Sequence, residues 1–323
     1  MSLLEMKDWL NDPEKLKYLN ELYPSDAIER AKKISQFCPS IGAYSASNGL
    51  FAVRKAVADF IENRDGFPSD PDKIYLTNGA SEGISRVMNA IISHSNVGVM
   101  IPVPQYPLYT ATLAMLNGKP VEYYLNESEN WSMKLSELER SLKEGRSKGI
   151  EIRALVLINP GNPTGSILTE QNLKELIKFC RDERLIILAD EVYQDNIYEP
   201  EIIPFKSVKR VLKEMGSEYS ENVELVSFHS TSKGLLGECG RRGGYFECHG
   251  LDQNVMDQLF KVASVSLCSN LMGQIMVSLM VDPPKIGDES YEKYSKERHA
   301  IWGKFKDKDS YIIINYRIFK EES

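Results

Sequence analysis

The sequence predicts an α/β fold built around a mostly parallel, doubly wound sheet with helices on both faces. Short runs that are apolar throughout, as strands buried on both faces are, occur at 97–101, 154–158 and 185–189. Between these runs lie segments with apolar residues at helical spacing. Such alternation forms parallel sheets through right-handed crossovers, and ligands bind at the carboxyl edge of these sheets.

The individual elements follow from local patterns. The helix after residue 50 repeats apolar residues at Val53, Val57 and Ile61, and the helix after Thr169 begins at a residue suited to an N-cap. The other predicted elements are a helical segment at 1–40 without recognisable chemistry, a strand at 73–77, a helix after Gly79, a strand at 121–125, a charged surface helix at 134–149 and a strand at 223–226.

Composition excludes several classes of protein. The 323 residues are 42% hydrophobic and 26% charged, which is typical of one large globular domain with part of a second. A formal net charge of −7 and the lack of a basic stripe with interleaved aromatics argue against nucleic acid as a partner. The five cysteines and four histidines show no metal-ligand spacing, so we expect reduced thiols and no metal site. For His229 the two alternatives are a place in the site near Lys233 and simple packing, and packing is the favoured one.

The first residues include Glu5 and Asp8 and no long apolar stretch, unlike a secretory signal or an Arg-rich transit peptide. Apolar runs such as 185–189 fall far below the roughly 18 residues of a membrane-spanning helix. We therefore expect a cytosolic protein that does not bind a membrane.

A lysine stands just beyond the strand predicted at 223–226, in the stretch Ser230-Thr231-Ser232-Lys233-Gly234. Its small neighbours leave the amine free to reach a carbonyl carbon, and hydroxyls with a nearby arginine suit a phosphate. Pyridoxal 5′-phosphate (PLP) is an aldehyde that carries a phosphate, and it bonds lysine as a Schiff base. On its own this signal is weak, because most of the 39 lysines and arginines are expected at the solvated surface.

Three further stretches fit the same cofactor. Asp190 directly follows the run 185–189 and brings a carboxylate to the sheet edge, where it can hold the proton of a pyridine nitrogen. The stretch Asn159-Pro160-Gly161-Asn162-Pro163 has extended geometry before each proline and leaves its amides free to address a ligand. Gly79-Ala80-Ser81 opens a helix whose first backbone amides can bind a phosphate.

Together these stretches resemble the class I/II aminotransferases of PLP fold type I, and most closely the alanine aminotransferase subfamily. The resemblance runs from Ile41 to about Pro284 and includes the loop Pro104-Gln105-Tyr106. The chain departs from the subfamily pattern Thr-Asp-Gly-Ala-Ser-Lys at Asn78 and Glu82, which swaps two charges beside the phosphate site.

The resemblance implies a role for each candidate residue. Lys233 holds the cofactor and moves a proton, Asp190 holds the pyridinium, and Asn162 and Tyr193 bond the ring oxygen. Tyr106 stacks on the ring. The phosphate ligands are Ala80, Ser81, Ser230, Ser232 and Arg242, with Tyr44 reaching the phosphate of a neighbouring subunit in a homodimer.

Two adjacent arginines leave the phosphate arginine ambiguous. The broader class places this residue at Arg241, whereas the alanine subfamily pattern places it at Arg242. Arg242 is preferred because it directly precedes Gly243-Gly244.

The implied reaction is amino transfer from L-alanine to 2-oxoglutarate, giving pyruvate and L-glutamate. A glutamate–glyoxylate aminotransferase, a cyclising or decarboxylating relative, and a PLP-binding protein with weak or no activity remain alternatives. The expected domains are a helical segment at 1–40, a large PLP-binding domain at 41–285 and the start of an incomplete small α+β domain at 286–323. The chain has no match to the arginine that binds the substrate carboxylate, and Arg317 is not assigned to it. We therefore expect it to bind cofactor better than it turns over substrate.

Overall fold

A computed structural model describes residues 2–304 of the chain. The chain divides into two compact units. The larger unit comprises residues 43–196 and 205–281, and the smaller comprises the described parts of 1–42, 197–204 and 282–323. Identifying these units with the predicted domains at 1–40, 41–285 and 286–323 stays a prediction.

The larger unit contains a seven-stranded sheet in the described part of the chain. Its strands are β1 (Ile74–Thr77), β2 (Val97–Val103), β3 (Lys119–Tyr124), β4 (Glu151–Ile158), β5 (Ile186–Asp190), β6 (Leu225–Ser230) and β7 (Gly244–His249). Their order across the sheet is β1-β7-β6-β5-β4-β2-β3. Strand β7 is antiparallel to both of its neighbours, and the other pairs are parallel. This confirms the predicted α/β class with a mostly parallel sheet.

Helices cover both faces of this sheet, as the sequence predicted. The helices of the larger unit are α5 (Phe51–Asp65), α6 (Ala80–Ile91), α7 (Leu108–Met115), α8 (Leu135–Ser147), α9 (Glu170–Glu183), α10 (Val208–Glu214), α11 (Ser217–Ser220), α12 (Gln253–Val265) and α13 (Leu271–Val281). One apolar core includes Phe228 and Phe246 with Ile84 of α6. A second core, on the opposite face, joins Leu225 and Ile187 to α8, α9 and α10.

The alternation of side chains along the strands explains why two cores form. In β5 and β6, successive side chains point to opposite faces, so Leu188 and Phe228 join one core while Ile187 and Leu225 join the other. Fully apolar strands are therefore buried on both sides, as the runs at 154–158 and 185–189 indicated. Helix α9 returns the chain between β4 and β5, and it begins where the Thr169 hydroxyl accepts a hydrogen bond from an amide of its first turn.

The smaller unit begins with four helices, α1 (Ser2–Glu5), α2 (Lys7–Leu10), α3 (Pro13–Leu22) and α4 (Ser25–Phe37). Their apolar faces share a small core that includes Leu10, Leu19 and Ile28. The start of α4 is tied to residues 289–290, because Glu289 accepts two hydrogen bonds of 2.8 Å from Ser25, one from its amide and one from its hydroxyl. Residues 291–304 are helical. The predicted segment 286–323 lies partly outside the described residues.

Among residues 2–304, no helix is both long and apolar enough to cross a membrane.

Candidate active site

Three neighbouring strands deliver the candidate residues to one edge of the sheet. Ile158 at the end of β4 pairs with Asp190 at the end of β5, and Asp190 pairs with Phe228 near the end of β6. Because these strands are parallel, their carboxyl ends meet at the same edge. The loops that follow carry Asn162 and Lys233, so the structure brings the predicted lysine, aspartate and asparagine to one side of the sheet.

Asp190 is a buried carboxylate with two hydrogen-bond donors. The Tyr109 hydroxyl donates to its Oδ2 at 2.7 Å, and the Val192 amide donates to its Oδ1 at 3.3 Å. Burial raises the pKa of Asp190 above its ordinary value, while these hydrogen bonds and the charge of Lys233 act in the opposite direction. A cation placed against Asp190 would relieve the cost of burying its charge.

Tyr109 is a site residue to which the sequence analysis gave no role. It lies in α7 and is fully buried, and burial followed by the charge of Asp190 raises its pKa well above the ordinary value. It therefore stays a hydrogen-bond donor to Asp190. The available signal was its position just after the Pro104-Gln105-Tyr106 loop, but only the fold shows that Tyr109 reaches Asp190 at the end of β5.

Lys233, Tyr193 and Asn162 form the second part of the site. The Lys233 Nζ lies 5.1 Å from the centroid of the Tyr193 ring. The Asn162 side-chain amide donates to the Tyr193 hydroxyl at 3.1 Å. The amine therefore lies close to the Tyr193 ring, whose hydroxyl is bonded to the Asn162 side chain.

The third part of the site is the N-terminus of α6, where Ala80 and Ser81 occupy the first turn. The helix dipole and unpaired amides of this turn favour an anion. The Arg242 guanidinium lies at the same point, since its Nη2 donates to the Ser81 hydroxyl at 3.0 Å and to the Asn78 carbonyl at 2.8 Å. Two sources of positive potential therefore converge there.

Two glycines make this approach possible. A Cβ on Gly79 would collide with the Arg242 guanidinium, and Gly79 has a positive φ of 82° that also favours glycine. A Cβ on Gly244, at the start of β7, would lie 2.6 Å from the backbone carbonyl carbon of Gly79. Neither glycine has room for a side chain, because Arg242 lies against Gly79 and the start of β7 lies against the start of α6.

The two adjacent arginines differ in position. Arg241 points to Glu238, with its Nε 3.7 Å from the carboxylate, whereas Arg242 reaches the start of α6. The choice of Arg242 as the phosphate ligand stays a prediction, and its position at the start of α6 is compatible with it.

The loop that carries the lysine is anchored at its start by hydrogen bonds. Ser230 is buried at the end of β6, and its hydroxyl accepts a hydrogen bond from the Ser232 amide at 3.3 Å. Thr231 donates to the Gly243 carbonyl through its amide at 3.1 Å and through its hydroxyl at 3.2 Å. Ser230 pairs with Gly244, which passes close to Gly79 and Ala80, so the start of the loop lies near the first turn of α6.

Two predicted residues lie at the surface. Tyr44 is 80% exposed and Tyr106 is 52% exposed. A side chain that serves a neighbouring subunit must project outward, so the exposure of Tyr44 is compatible with its predicted role. That role, and the stacking of Tyr106, stay predictions.

The two departures from the subfamily pattern are paired within the structure. The Glu82 carboxylate accepts a hydrogen bond from the Asn78 amide and forms an ion pair with Arg86 at 2.7 Å. The Asn78 side chain accepts two hydrogen bonds from Asn270, at 2.9 and 2.7 Å. The carboxylate of Glu82 is therefore engaged beside the anion site instead of facing it unpaired.

The donor set suits one class of cofactor. A buried carboxylate, a nearby amine and a cationic pocket at a helix N-terminus match a protonated heterocycle that carries an aldehyde and a phosphate. Metal chemistry has no comparable support, since no group of His, Cys, Asp and Glu residues within 2–304 could hold a metal ion.

Comparison with known proteins identifies the family. The sequence matches the family described as "Aminotransferase class I and II" over residues 14–316, and the chain belongs to that family. It is 52% identical to glutamate–glyoxylate aminotransferase 1 of Arabidopsis thaliana, over 90% of this chain and 60% of that protein. It is 49% identical to the probable mitochondrial alanine aminotransferase of Dictyostelium discoideum, over 95% of this chain and 57% of that protein.

A solved aminotransferase from Escherichia coli has a similar fold, with a TM-score of 0.69 and 26% identity over 84% of this chain and 64% of that chain. The chain thus spans less than two thirds of the length of each of these proteins.

The names of the relatives correct the prediction of a cytosolic location. The Dictyostelium discoideum relative and two alanine aminotransferases of Arabidopsis thaliana are named as mitochondrial. The cytosolic prediction was wrong because it relied on the composition of the first residues alone, which carries little information about the compartment.

Proposed function

We propose that this protein is a PLP-dependent aminotransferase that moves the amino group of L-alanine to 2-oxoglutarate, giving pyruvate and L-glutamate. The observation that carries this proposal is the convergence of Lys233, Asp190 and Arg242 at one edge of the sheet. Close identity to an alanine aminotransferase supports the choice of substrates.

Different residues of the site would contact different parts of the cofactor. Arg242, the first turn of α6 and the hydroxyls of Ser81, Ser230 and Ser232 would hold the phosphate through charge-assisted hydrogen bonds. Asp190 would face the ring nitrogen, and Tyr193 with Asn162 would face the ring oxygen. Tyr106 would cover the ring, and Tyr44 would reach the site of a second copy in a homodimer.

When bound, PLP supplies an electron sink for the pair left when the substrate loses its α-proton. Asp190 would keep the ring nitrogen protonated, because its carboxylate is buried and fixed by Tyr109. The Lys233 amine would take the α-proton as a base and return it as an acid. The hydrogen bond from Asn162 holds the Tyr193 phenol beside that amine.

Glyoxylate is a second candidate acceptor, since a glutamate–glyoxylate aminotransferase is 52% identical over 90% of the chain. The same cofactor chemistry serves both reactions, which differ in the amino donor and in the acceptor. Glyoxylate is therefore the alternative acceptor.

A panel of donors and acceptors tests the proposal. The protein is assayed with alanine, glutamate, aspartate and an aromatic amino acid, each against 2-oxoglutarate, pyruvate and glyoxylate, with Lys233→Ala as the control. We expect alanine with 2-oxoglutarate to give the highest kcat/KM and the control to give none. A clear preference for aspartate or an aromatic donor would refute the proposal, and a preference for glyoxylate would favour the alternative.

A further inference from the structure

A group of polar side chains is buried behind the candidate site, on the opposite face of the sheet from α6. His229 of β6 pairs with Tyr245 of β7, and their rings meet edge to face with centroids 5.6 Å apart. Their neighbours Phe228 and Phe246 point into the core on the α6 face, so His229 and Tyr245 point the other way. With Arg64 of α5 and Glu191, which follows β5, these residues form what we call the rear cluster.

The rear cluster contains polar atoms without hydrogen-bond partners among the described residues. They are the Glu191 Oε2, both ring nitrogens of His229 and the Tyr245 hydroxyl. Glu191 and His229 are 1% exposed and Tyr245 is 2% exposed, so bulk water cannot serve them. An orphaned buried polar group is costly, and native proteins rarely keep several together without ordered water.

Two pairs of polar atoms, one inside the rear cluster and one between His229 and the nearby Asp195, face each other across a gap. The Arg64 Nη1 lies 3.9 Å from the Glu191 Oε2, and the His229 Nε2 lies 4.0 Å from the Asp195 Oδ2. Both distances exceed a direct hydrogen bond. Donors and acceptors are both present, because Arg64 donates, carboxyl oxygens accept, and a neutral imidazole has one donor nitrogen and one acceptor nitrogen. Water can satisfy all of these groups, whereas an apolar ligand cannot.

The rear cluster supports the turn that carries Tyr193. Gln194 in this turn accepts a hydrogen bond of 2.7 Å from Arg64, and its side chain donates to the Glu191 carbonyl at 3.0 Å. Arg64 itself is held by a two-pronged pair with Asp65, with both contacts at 2.7 Å. One side of the turn therefore faces the candidate site and the other rests on the rear cluster.

The same turn also contacts the lysine loop. A Cβ on Gly234, the residue after Lys233, would lie 3.0 Å from the Cβ of Asp195. The Gly234 amide donates to the Asn196 side chain at 2.9 Å. A shift of the rear cluster would therefore reach both Tyr193 and Lys233.

We propose that the rear cluster binds ordered water, and that this hydrated cluster makes His229 and Tyr245 positioning residues for Tyr193 and Lys233. The water site stands on the geometry alone. The positioning role rests on the proposed function, because it concerns the residues that would hold the cofactor.

The water site is tested on the cofactor-free protein. A crystal structure should show at least one ordered water within hydrogen-bond distance of two of the unpartnered atoms. Tyr245→Phe should lower the melting temperature by roughly 2–4 °C, because it removes a satisfied hydroxyl. Tyr75→Phe is the matched control, since the buried Tyr75 hydroxyl donates directly to the Met256 carbonyl at 3.2 Å. Direct contacts without water, or an unchanged or higher melting temperature for Tyr245→Phe, would overturn the water site.

The positioning role is tested by the absorbance of the lysine-bound cofactor as a function of pH. In His229→Phe, we expect the midpoint of this titration to move by about 0.5 pH unit or more, since a displaced Tyr193 changes the environment of the amine. Tyr245→Phe serves as a second variant if the first does not fold. An unchanged midpoint in the folded variant would overturn the positioning role, while cofactor still attached to Lys233 would leave the proposed function intact.

Discussion

At the scale of single residues, Tyr109 sets the environment of Asp190. Its hydrogen bond is stronger when the carboxylate is charged, which is the form that pairs with a protonated ring nitrogen. Tyr109→Phe should therefore weaken PLP binding by roughly tenfold, as expected for a hydrogen bond to a charged group. An absorbance titration of the cofactor-free protein with PLP measures this.

The matched control for that change is Tyr123→Phe. Tyr123 is also fully buried, but its hydroxyl donates to the Val156 carbonyl at 2.8 Å instead of to the site. It should lose stability without losing affinity for PLP. Equal affinity losses in the two variants would mean that general loosening of the core, and not support of Asp190, is responsible.

The adjacent arginines permit a second comparison between single residues. Arg242→Ala should weaken PLP binding by roughly 10- to 100-fold, because it removes a charge at the start of α6. Arg241→Ala should change affinity by less than about twofold, since a solvent-exposed pair with Glu238 contributes little. The same titration with PLP decides, and the reverse ranking would reassign the phosphate arginine.

Residue identities were predictable where a local motif carried them. Lys233, Asp190 and Asn162 each follow a strand signal, so the sequence places them at the sheet edge. Tyr109 was missed because its contact with Asp190 joins positions far apart in the chain, which no local pattern encodes. His229 was correctly expected to be buried, but its unpartnered nitrogens become visible only in three dimensions.

At the scale of secondary-structure elements, the approach of β7 to α6 shapes the proposed phosphate site. Gly244→Ala should push the first turn of α6 away from β7, because the added Cβ would meet the backbone of Gly79 and Ala80 within 2.8 Å. We expect both a lower melting temperature and weaker PLP binding. Gly240→Ala is the control, since a Cβ there meets nothing within 4 Å.

Loss of stability in Gly244→Ala with normal PLP affinity would show that the start of α6 is not shaped by this contact.

The elements themselves were largely predictable, because fully apolar runs and helical spacing are local signals. Their ends were less so. Strand β4 begins at Glu151, before the apolar run at 154–158, because pairing with β2 extends it through charged residues. Strand β7 was not predicted, and its antiparallel pairing follows from contacts with β1 and β6.

At the scale of the whole molecule, two buried groups give stability opposing dependences on pH. Burial is the main cause of both shifts, lowering the pKa of His229 to about 4 and raising the pKa of Glu191 to about 7. The charges facing His229 are Asp195 and Arg64, and those facing Glu191 are Arg64, Asp65 and Glu247.

The direction follows from proton binding. Between about pH 4 and 6.5 the unfolded state protonates His229 more than the folded state does, so this group lowers stability as pH falls. Between about pH 4.5 and 7 the folded state keeps the Glu191 proton that the unfolded state loses, so this group lowers stability as pH rises. The two contributions offset each other between pH 5 and 6.5.

Removing either group should reveal the pH dependence of stability that the other group contributes. In Glu191→Gln the free energy of unfolding should rise from pH 5 to 7 by up to about 2 kcal/mol relative to the parent, and in His229→Phe it should fall by a similar amount. Urea unfolding of the cofactor-free protein at both values measures these slopes. Parallel profiles for both variants and the parent would contradict the assigned protonation states.

The fold class and the family were predictable for the molecule as a whole, because the buried-strand pattern and the lysine, aspartate and asparagine motifs agree with one another. The compartment was not predicted correctly. The composition of the first residues carries little information about it, and several relatives are named as mitochondrial. The sequence also did not predict that residues 197–204 belong to the smaller unit, because so short a segment has no hydrophobic periodicity of its own.

The measurement that tests the central claim most directly is the mapping of the cofactor attachment site. The protein is loaded with PLP, reduced with borohydride and digested, and the peptides are weighed. Lys206→Ala is the control, since Lys206 pairs with Glu170 at 2.5 Å and has no role in the site. We predict the pyridoxyl mass on the peptide that contains Lys233, in the parent and in Lys206→Ala, and its loss in Lys233→Ala. A coloured protein whose Lys233 peptide is unmodified, with the added mass on another lysine, would contradict the account.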